Sequence, residues 1–377
     1  MRIVYLAHSL LSCWNHGNAH FLRGLFRDLI ARGHDVSILE PASAWSLQNL
    51  LADHGEAGLA AFRSAYPELD ATTFSDAEDA AALCADADLV VVHEWTDPAL
   101  VARLGRARRQ GGRFILLFHD THHRAVSDPQ AIDAFELDDF DGILAFGETL
   151  SEVYRGWGWS GRVWTWHEAA DTELFRPRAE AGARSGIVWI GNWGDGERTE
   201  ELETFLFRPT AACGLSLDVY GVRYPDAALG MLRQHGARYR GWLPNAQVPE
   251  VFGRHRMTVH VPRRFYVDRL PGIPTIRVFE ALACGIPLVC APWIDSENLF
   301  RPGQDYLVAR TGAEMEHHLR AVNHDPALRD AMVASGLETI RARHTCAHRV
   351  DELLAIVRSI SPAFHPGVSE RPVETAA

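Results

Sequence analysis

The chain alternates short apolar runs with segments of helical length, and this alternation constrains its fold more than any other feature. In the first half the apolar runs are Arg2 to Ala7, Asp35 to Leu39, Asp88 to His93, Arg113 to His119 and Gly142 to Phe146. An amphipathic helix is predicted after the first run, from Ala19 to Arg32, with its end at Gly33. Repeated βα units of this kind predict a parallel sheet covered by helices on both faces.

A second series begins at Gly186, where GIVWIGNWGDGE repeats the pattern of a strand followed by a polar loop. A turn-rich passage with Asp171, Pro177 and Gly182 precedes it. Further strands are predicted at Leu217 to Tyr220, Ala237 to Tyr239, Met257 to Val261 and Pro287 to Cys290, and helices at Val248 to Arg254 and Thr275 to Ala283. Because 377 residues exceed what one core usually organises, we predict an α/β protein of two Rossmann-like doubly wound domains that face a central cleft.

The predicted domains are residues 1–170 and residues 171–345. A helix at 346–361 is expected to pack back on the N-terminal domain, and the Pro-rich polar segment 362–377 is expected to be a flexible tail.

Composition narrows the classes of partner. The formal net charge of -12 argues against nucleic acid, which requires clustered basic residues, although a few arginines in one cleft can still neutralise a diphosphate. The six cysteines are scattered without a CxxC pair, as expected for reduced thiols in a cytoplasmic protein. No segment has the length and apolarity of a transmembrane helix, and the oligomeric state is left open.

The segment PTIRVFEALACGIPLVCAPW, residues 274–293, predicts a short helix that contains Glu280 and leads through Gly285 into a buried strand. Amides at such a helix N-terminus favour phosphate, and a carboxylate further along can accept two ribose hydroxyls. An ordinary αβ unit with a glycine cap is the structural alternative.

The segment resembles the C-terminal signature of GT-B glycosyltransferases, and more narrowly the group similar to the spore-maturation protein CgeB. DTELFRP at 171–177 is similar to the interdomain linker of that family, and HTCAHRV at 344–350 to its terminal helix. The resemblance implies transfer of a hexosyl group from a nucleotide-diphosphate sugar to a hydroxyl-bearing acceptor, without a cofactor. Many relatives carry another Glu eight positions before the ribose-binding one, but this chain has Gly272 there.

The resemblance also implies roles for individual donor-site residues. Thr275, Ile276 and Arg277 would meet the phosphates and Glu280 the ribose, although a pair between Arg277 and Glu280 is the structural alternative for that arginine. The other expected donor contacts are Gly191, Asn192, Arg263 and Arg264, together with Trp242 and Leu243 of GWLP beside the nucleobase.

The N-terminal domain supplies the expected catalytic residues. VVVHEWTDP at 90–98 resembles the segment where related mannosyltransferases hold a histidine against the sugar, which makes His93 and Glu94 candidates. His119 and Asp120 of HDTHHR follow the next strand and join them. The alternative for His93 is a strand-end histidine satisfied by backbone groups.

The loop HSLLSCWNHGNAH at 8–20 is expected on the acceptor side, with His16 and Gly17 as its contacts, although an ordinary polar loop is equally compatible with its sequence. Neither HDTHHR nor HEAAD at 167–171 has metal-site spacing, so no metal is predicted. The run WGWSGRVWTWH at 157–167 is interpreted as packing beside the linker rather than as a carbohydrate or membrane platform.

Two other functions remain alternatives. A nucleotide-sugar epimerase would use the same fold but needs paired acid and base carboxylates. A degenerate member would bind nucleotide sugars without turnover, and the missing first Glu is compatible with that.

Overall fold

The computed structural model describes residues 1–178, 183–194 and 196–362, and these residues form two parallel sheets flanked by helices. The strands of the first sheet are β1 (Arg2–Leu6), β2 (Asp35–Pro41), β3 (Thr72–Phe74), β4 (Leu89–His93), β5 (Ile115–Asp120), β6 (Gly142–Ala145) and β7 (Val163–Thr165). Their spatial order is β3-β2-β1-β4-β5-β6-β7. The strands of the second sheet are β8 (Ile187–Ile190), β9 (Leu217–Tyr220), β10 (Arg238–Gly241), β11 (Met257–His260), β12 (Leu288–Cys290) and β13 (Leu307–Val308), in the order β10-β9-β8-β11-β12-β13.

Helices cover both sheets. In the first half they are α1 (Asn18–Ala31), α2 (Trp45–Ala65), α3 (Ala77–Leu83), α4 (Pro98–Arg109), α5 (Arg124–Ser127), α6 (Pro129–Asp133) and α7 (Glu148–Gly156). In the second half they are α8 (Thr199–Leu202), α9 (Arg208–Ala212), α10 (Asp226–Gln234), α11 (Val248–Arg254), α12 (Arg264–Asp268), α13 (Ile276–Ala283), α14 (Gly312–His324), α15 (Pro326–Arg343) and α16 (Cys346–Ile360). One π-helical turn at Glu203–Phe207 joins α8 to α9, and a 3₁₀ turn at Asn245–Gln247 precedes α11. The predicted α/β class with two Rossmann-like domains is confirmed.

Three strands were missed by sequence analysis, namely β3, β7 and β13. Each has only two or three residues, and β3 has no fully buried residue, so none produces the long apolar run that marks a central strand. They lie toward the sheet edges, where pairing with one longer neighbour defines them.

Each sheet reverses its strand order at one point, between β1 and β4 in the first sheet and between β8 and β11 in the second. In open parallel sheets, ligands bind beyond the carboxyl ends of the strands at such a point. The two reversal points therefore position a shared site between the sheets.

The C-terminal helix α16 returns to the first half of the chain, where Arg32 Nη2 donates to the carbonyl of Ala347 over 3.0 Å. Trp166 Nε1 also donates to the carbonyl of Arg349 over 2.9 Å.

All six cysteines are free thiols. The flexible tail predicted at 362–377 lies, except for Pro362, outside the described residues. Within the described part of the chain, no helix has both the length and the apolarity that a membrane crossing demands.

Candidate functional site

A cavity of about 600 Å³ lies between the carboxyl ends of the two sheets. Its walls are formed by Asn15, His16, Gly17, Asn18, Trp45, Trp95, Thr121, His122, His123, Phe146, Glu168, Asn192, Gly194, Arg198, Arg223, Arg263, Tyr266, Thr275 and Ile276. We call it the main cavity. Residues from both halves of the chain face it, so a molecule bound there would contact both domains.

A smaller cavity of about 110 Å³ adjoins the main cavity and shares four lining residues with it. Its walls are formed by Cys13, Asn15, His16, Gly17, His20, Ile190, Gly191, Asn192, Gly221, Trp242, Leu243 and Arg277. We call it the side cavity. Gly191, Asn192, Arg277, Trp242 and Leu243, all predicted donor contacts, are therefore brought together here, next to the acceptor-loop residues His16 and Gly17.

Arg198 is the best-positioned cation of the main cavity. Two of its guanidinium nitrogens donate to the carbonyls of Val261 (2.8 Å) and Asn192 (2.6 Å), while its buried Nε has no hydrogen-bond partner. Burial lowers its pKa to about 10, so the side chain is still charged at neutral pH. A fixed, buried guanidinium with one unused donor suits a phosphate or carboxylate oxygen.

The two other predicted arginines of this region differ from each other. Arg263 lines the main cavity and donates from Nε to Glu197 over 2.6 Å. Arg264 is exposed, pairs with Glu201 over 2.8 Å and lines neither cavity. Adjacent side chains at the start of a helix point in different directions, which the sequence pattern RR does not reveal.

The first turn of α13 forms part of the wall. Thr275 and Ile276 line the main cavity, and Thr275 Oγ1 lies 3.1 Å from His260 Nε2 rather than capping the helix. Gly17 lies against this turn, since a Cβ added there would come within 3.3 Å of Ile276 Cγ2. The glycine thus allows the N-terminal loop to approach the helix that was predicted to bind phosphate.

Glu280 is buried at the contact between the two halves and lines neither cavity. Its Oε1 lies 2.8 Å from His20 Nδ1 and accepts from Asn245 Nδ2 over 3.0 Å, while Oε2 pairs with Arg277. Burial alone would raise its pKa, but Arg277 and His20 hold it below the ordinary value, so Glu280 is ionised. Sequence analysis anticipated the pair with Arg277 but not the partners His20 and Asn245. Ribose binding by Glu280 stays a prediction, and it would require exchange of one of these partners.

The four predicted catalytic residues lie together beneath the main cavity and do not line it. His93 Nε2 lies 3.0 Å from Thr121 Oγ1, and His119 Nδ1 pairs with Tyr5. Glu94 pairs with Arg124, and Asp120 accepts from Tyr154 over 2.7 Å. Burial raises the pKa of Asp120 to about 6 and lowers that of His119 to about 3. Direct contact of these four groups with a substrate stays a prediction.

Residues that follow those four in sequence form the wall instead. Trp95 and Thr121 to His123 face the main cavity beside Trp45 of α2, whose ring meets that of Trp95 edge to face with centroids 6.2 Å apart. Burial lowers the pKa of His122 to about 2 and that of His123 to about 4, so both are neutral at physiological pH. His122 Nδ1 and His123 Nε2 are buried without partners. This wall offers aromatic faces and neutral hydrogen-bonding nitrogens.

Trp242 was predicted to lie beside the nucleobase, and that contact stays a prediction. It lines the side cavity, packs against His54 with ring centroids 4.5 Å apart, and has a buried, unpartnered Nε1. The earlier tryptophan run does not form one surface. Trp166 is fully buried as predicted, but Trp157, at the C-terminal cap of α7, is 43% exposed and packs edge-on against Tyr154, with ring centroids 5.2 Å apart.

Several lining residues were missed, notably Arg223, Trp45, Tyr266 and Glu168. A compositional signal was available for the arginines, because the chain contains no lysine and any cationic site must use arginine.

In the part of the chain that the structure describes, no group of three or more His, Cys, Asp or Glu side chains is arranged to hold a metal ion.

Residues 198–355 match a protein-family model described as "Glycosyl transferase-like". No curated protein sequence matches the chain significantly. The fold is similar to that of an alpha-glucosyltransferase in complex with UDP and a 13-mer DNA, with a TM-score of 0.69 and 13% identity over 95% of this chain and 99% of that one.

Two other solved structures show the same likeness. Anabaena HepE in complex with UDP and glucose has a TM-score of 0.69 and 12% identity over 95% of this chain and 100% of that one. Sucrose-phosphate synthase from Thermosynechococcus elongatus has a TM-score of 0.66 and 14% identity over 97% and 100%. Both sheets and the cleft between them thus have the GT-B glycosyltransferase fold, as the sequence predicted.

Proposed function

We propose that this protein transfers a hexosyl group from a nucleotide-diphosphate sugar to a hydroxyl-bearing acceptor without a catalytic metal. One observation carries the proposal: Arg198, whose Nε has no hydrogen-bond partner, and the first turn of α13 line one cavity between two GT-B sheets. Charge on a departing diphosphate can be stabilised there by fixed donors, which lowers the barrier to transfer. The match of residues 198–355 to a glycosyl transferase-like family supports the same reaction class.

The donor would span both cavities. The nucleoside would occupy the side cavity beside Trp242, with its ribose toward Glu280, and the diphosphate would extend past Arg198 and Arg263 to Ile276, residues that line the main cavity. We take UDP as the first nucleotide to test, because the alpha-glucosyltransferase and HepE were solved with UDP.

The acceptor would enter from the other wall. Trp45 and Trp95 offer flat faces for a sugar or another ring, and His16 offers a neutral imidazole. His93, Glu94, His119 and Asp120 are then proposed to act from below this wall. Their part in proton transfer would pass through residues such as Thr121, which touches His93.

Membership of the narrower CgeB-like group is also proposed. Gly272 has φ of +95°, and a side chain there would collide with Ser296. The backbone therefore excludes the first Glu of the two-glutamate motif at this position, in agreement with a group that commonly lacks it.

A cytoplasmic location is proposed from the six free thiols.

The epimerase alternative receives less support. It needs paired carboxylates at the reacting carbon, whereas Glu168 is the only carboxylic acid among the described residues that line the main cavity.

Binding and turnover test the proposal separately. Thermal melting should show a selective rise with UDP or its hexose conjugates compared with GDP, ADP and dTDP, since a ligand that binds only the native state stabilises it. Release of UDP from a UDP-hexose should then require a hydroxyl acceptor drawn from a screen of saccharides and small alcohols. Absence of any nucleotide shift would remove the donor site, and binding without turnover would favour the degenerate alternative.

Glu280→Ala tests the ribose assignment. UDP affinity should fall at least about tenfold, because a charged hydrogen bond contributes about 1.5–3 kcal/mol. Glu203→Ala, on the surface, is the matched control. Unchanged affinity in a folded Glu280→Ala protein would refute the assignment.

A further inference from the structure

Glu168 lies in HEAAD, directly after β7, where the chain passes from one half to the other. Its side chain is part of the main cavity wall, yet the residue is only 7% exposed. Among the described lining residues of that cavity it is the one carboxylic acid, beside three arginines. The sequence HEAAD was considered only as a metal site, and the predicted donor contacts do not include Glu168.

The partners of Glu168 come from both domains. Asn18 Nδ2 at the start of α1 donates to Oε1 over 3.5 Å, a long and weak hydrogen bond. The backbone of Ile276, in the first turn of α13, also interacts favourably with the carboxylate. No cationic side chain forms an ion pair with Glu168 within the described residues. The carboxyl group therefore lies near the helix N-terminus at which a donor phosphate is expected.

We propose that Glu168 is a proton-carrying contact of the donor: its carboxyl group takes up one proton from solvent when the diphosphate binds, and donates it in a hydrogen bond to a phosphoryl oxygen. This inference rests on the proposed function. The physical reason is that two anions cannot share the first turn of α13 at close range, whereas a neutral carboxylic acid beside a phosphate is a hydrogen-bond donor.

The surroundings of Glu168 already favour the neutral form. Burial raises its pKa to about 7, with Asn18 and the charge of His20 opposing the rise and Glu280 adding to it. Tyr266 of α12 faces the same region, and Arg198, Arg223 and Arg263 line the cavity further along. A diphosphate adds negative charge next to the carboxyl group, so its pKa must rise further in the complex.

Titration of Glu168 should make the affinity for the nucleotide depend on pH. Below the pKa of the free protein, near 7, Glu168 is already protonated and donor affinity is independent of its titration. Above it, binding must recruit a proton, so the Kd for the nucleotide rises by up to tenfold per pH unit.

Calorimetric titration of the full chain with UDP at about pH 8, in two buffers of different ionisation enthalpy, tests this. The wild type should take up close to one proton per UDP bound. Glu168→Gln should bind UDP with little or no uptake, because the amide supplies the donor without titrating. His318→Gln, on α14 away from both cavities, is the control and should behave as the wild type.

The outcomes separate the two proposals. Binding of UDP with equal apparent enthalpy in both buffers, or equal proton uptake by wild type and Glu168→Gln, overturns the role of Glu168 and leaves the donor site intact. Failure of the wild type to bind any of the four nucleoside diphosphates overturns both. If Glu168→Gln does not fold, the pH dependence of the wild-type Kd decides, and a flat Kd between about pH 7 and pH 9 refutes the inference.

Discussion

The two walls of the main cavity contain opposite kinds of side chain. The C-terminal wall carries Arg198, Arg223 and Arg263 beside a helix N-terminus. The N-terminal wall carries tryptophans and histidines whose pKa values burial lowers, and none of its described lining residues is an arginine. In a chain with net charge -12, positive charge is concentrated where a diphosphate would lie.

This difference indicates how the walls would recognise their ligands. Fixed guanidinium and amide donors select by charge, and their contributions are large in a buried site. Aromatic faces and neutral imidazoles select by shape and by single hydrogen bonds, so acceptor contacts should contribute less each. The predictions below test that asymmetry.

Arg198→Met should have the largest effect. Loss of a charged donor in the C-terminal wall should weaken UDP binding about 100-fold, corresponding to about 3 kcal/mol. The UDP affinity of Arg198→Lys should lie between those of the wild type and Arg198→Met, because lysine restores the positive charge but not the planar guanidinium group. The matched control is Arg208→Met, which removes an exposed arginine paired with Glu203. Equal UDP affinity in the Met variant and the wild type would show that the C-terminal wall does not bind the diphosphate.

His8→Phe should change the pH dependence of stability. His8 packs on Trp45 with ring centroids 4.6 Å apart, and burial lowers its pKa to about 4. Because the folded pKa lies below the unfolded value of about 6.5, the folded state loses stability as pH falls from 6.5 toward 4, by about 2 kcal/mol at pH 5. Urea unfolding at pH 7.5 and 5 should show a loss about 2 kcal/mol smaller for the variant than for the wild type, because the other buried histidines, such as His119 and His123, contribute equally in both proteins. Parallel losses in the two proteins would mean that His8 is not held neutral.

Trp95→Ala should affect the acceptor alone. The indole faces the main cavity and is stacked on its other side by Arg124, 4.2 Å from the ring centroid. Loss of the flat face should raise the KM for the acceptor about tenfold while leaving the Kd for UDP unchanged, since stacking contributes about 1 kcal/mol beyond burial. Trp95→Phe should recover most of the loss. A change in UDP affinity would place the donor, not the acceptor, on this wall.

Chelation should have the smallest effect. Because the proposed reaction uses arginines rather than a metal to neutralise the diphosphate, excess EDTA should change the initial transfer rate by less than about twofold. The rate before and after dialysis against EDTA measures this. Loss of turnover that Mn²⁺ or Mg²⁺ restores would show that the arginines alone do not neutralise the diphosphate.

Sequence patterns predicted the two sheets because each central strand is a nearly continuous apolar run between helical segments. β9 and α11 begin and end where the pattern placed them. β3 and β13 were missed because they have only three and two residues, so their pairing depends on a neighbouring strand. Local composition carries no information about that neighbour.

The site was predictable to the level of loops but not of side-chain directions. His93, Glu94, His119 and Asp120 at the ends of β4 and β5 were expected at the cleft, but all four are buried, and the following Trp95 and Thr121 face the cavity. The chain leaves the sheet where each strand ends, and the apolar pattern does not specify at which residue this turn brings side chains from the interior to the cavity wall.

By itself, the sequence determined the repeating βα units, the arginine-only basic chemistry and the short helix that carries Glu280, because these depend on residue type and spacing along one segment. Only the tertiary structure decided that His20 and Asn245 contact Glu280, and that Glu168 lies beside Ile276. Those contacts join residues from 35 to 260 positions apart, so they arise from how the two sheets pack and from no local pattern.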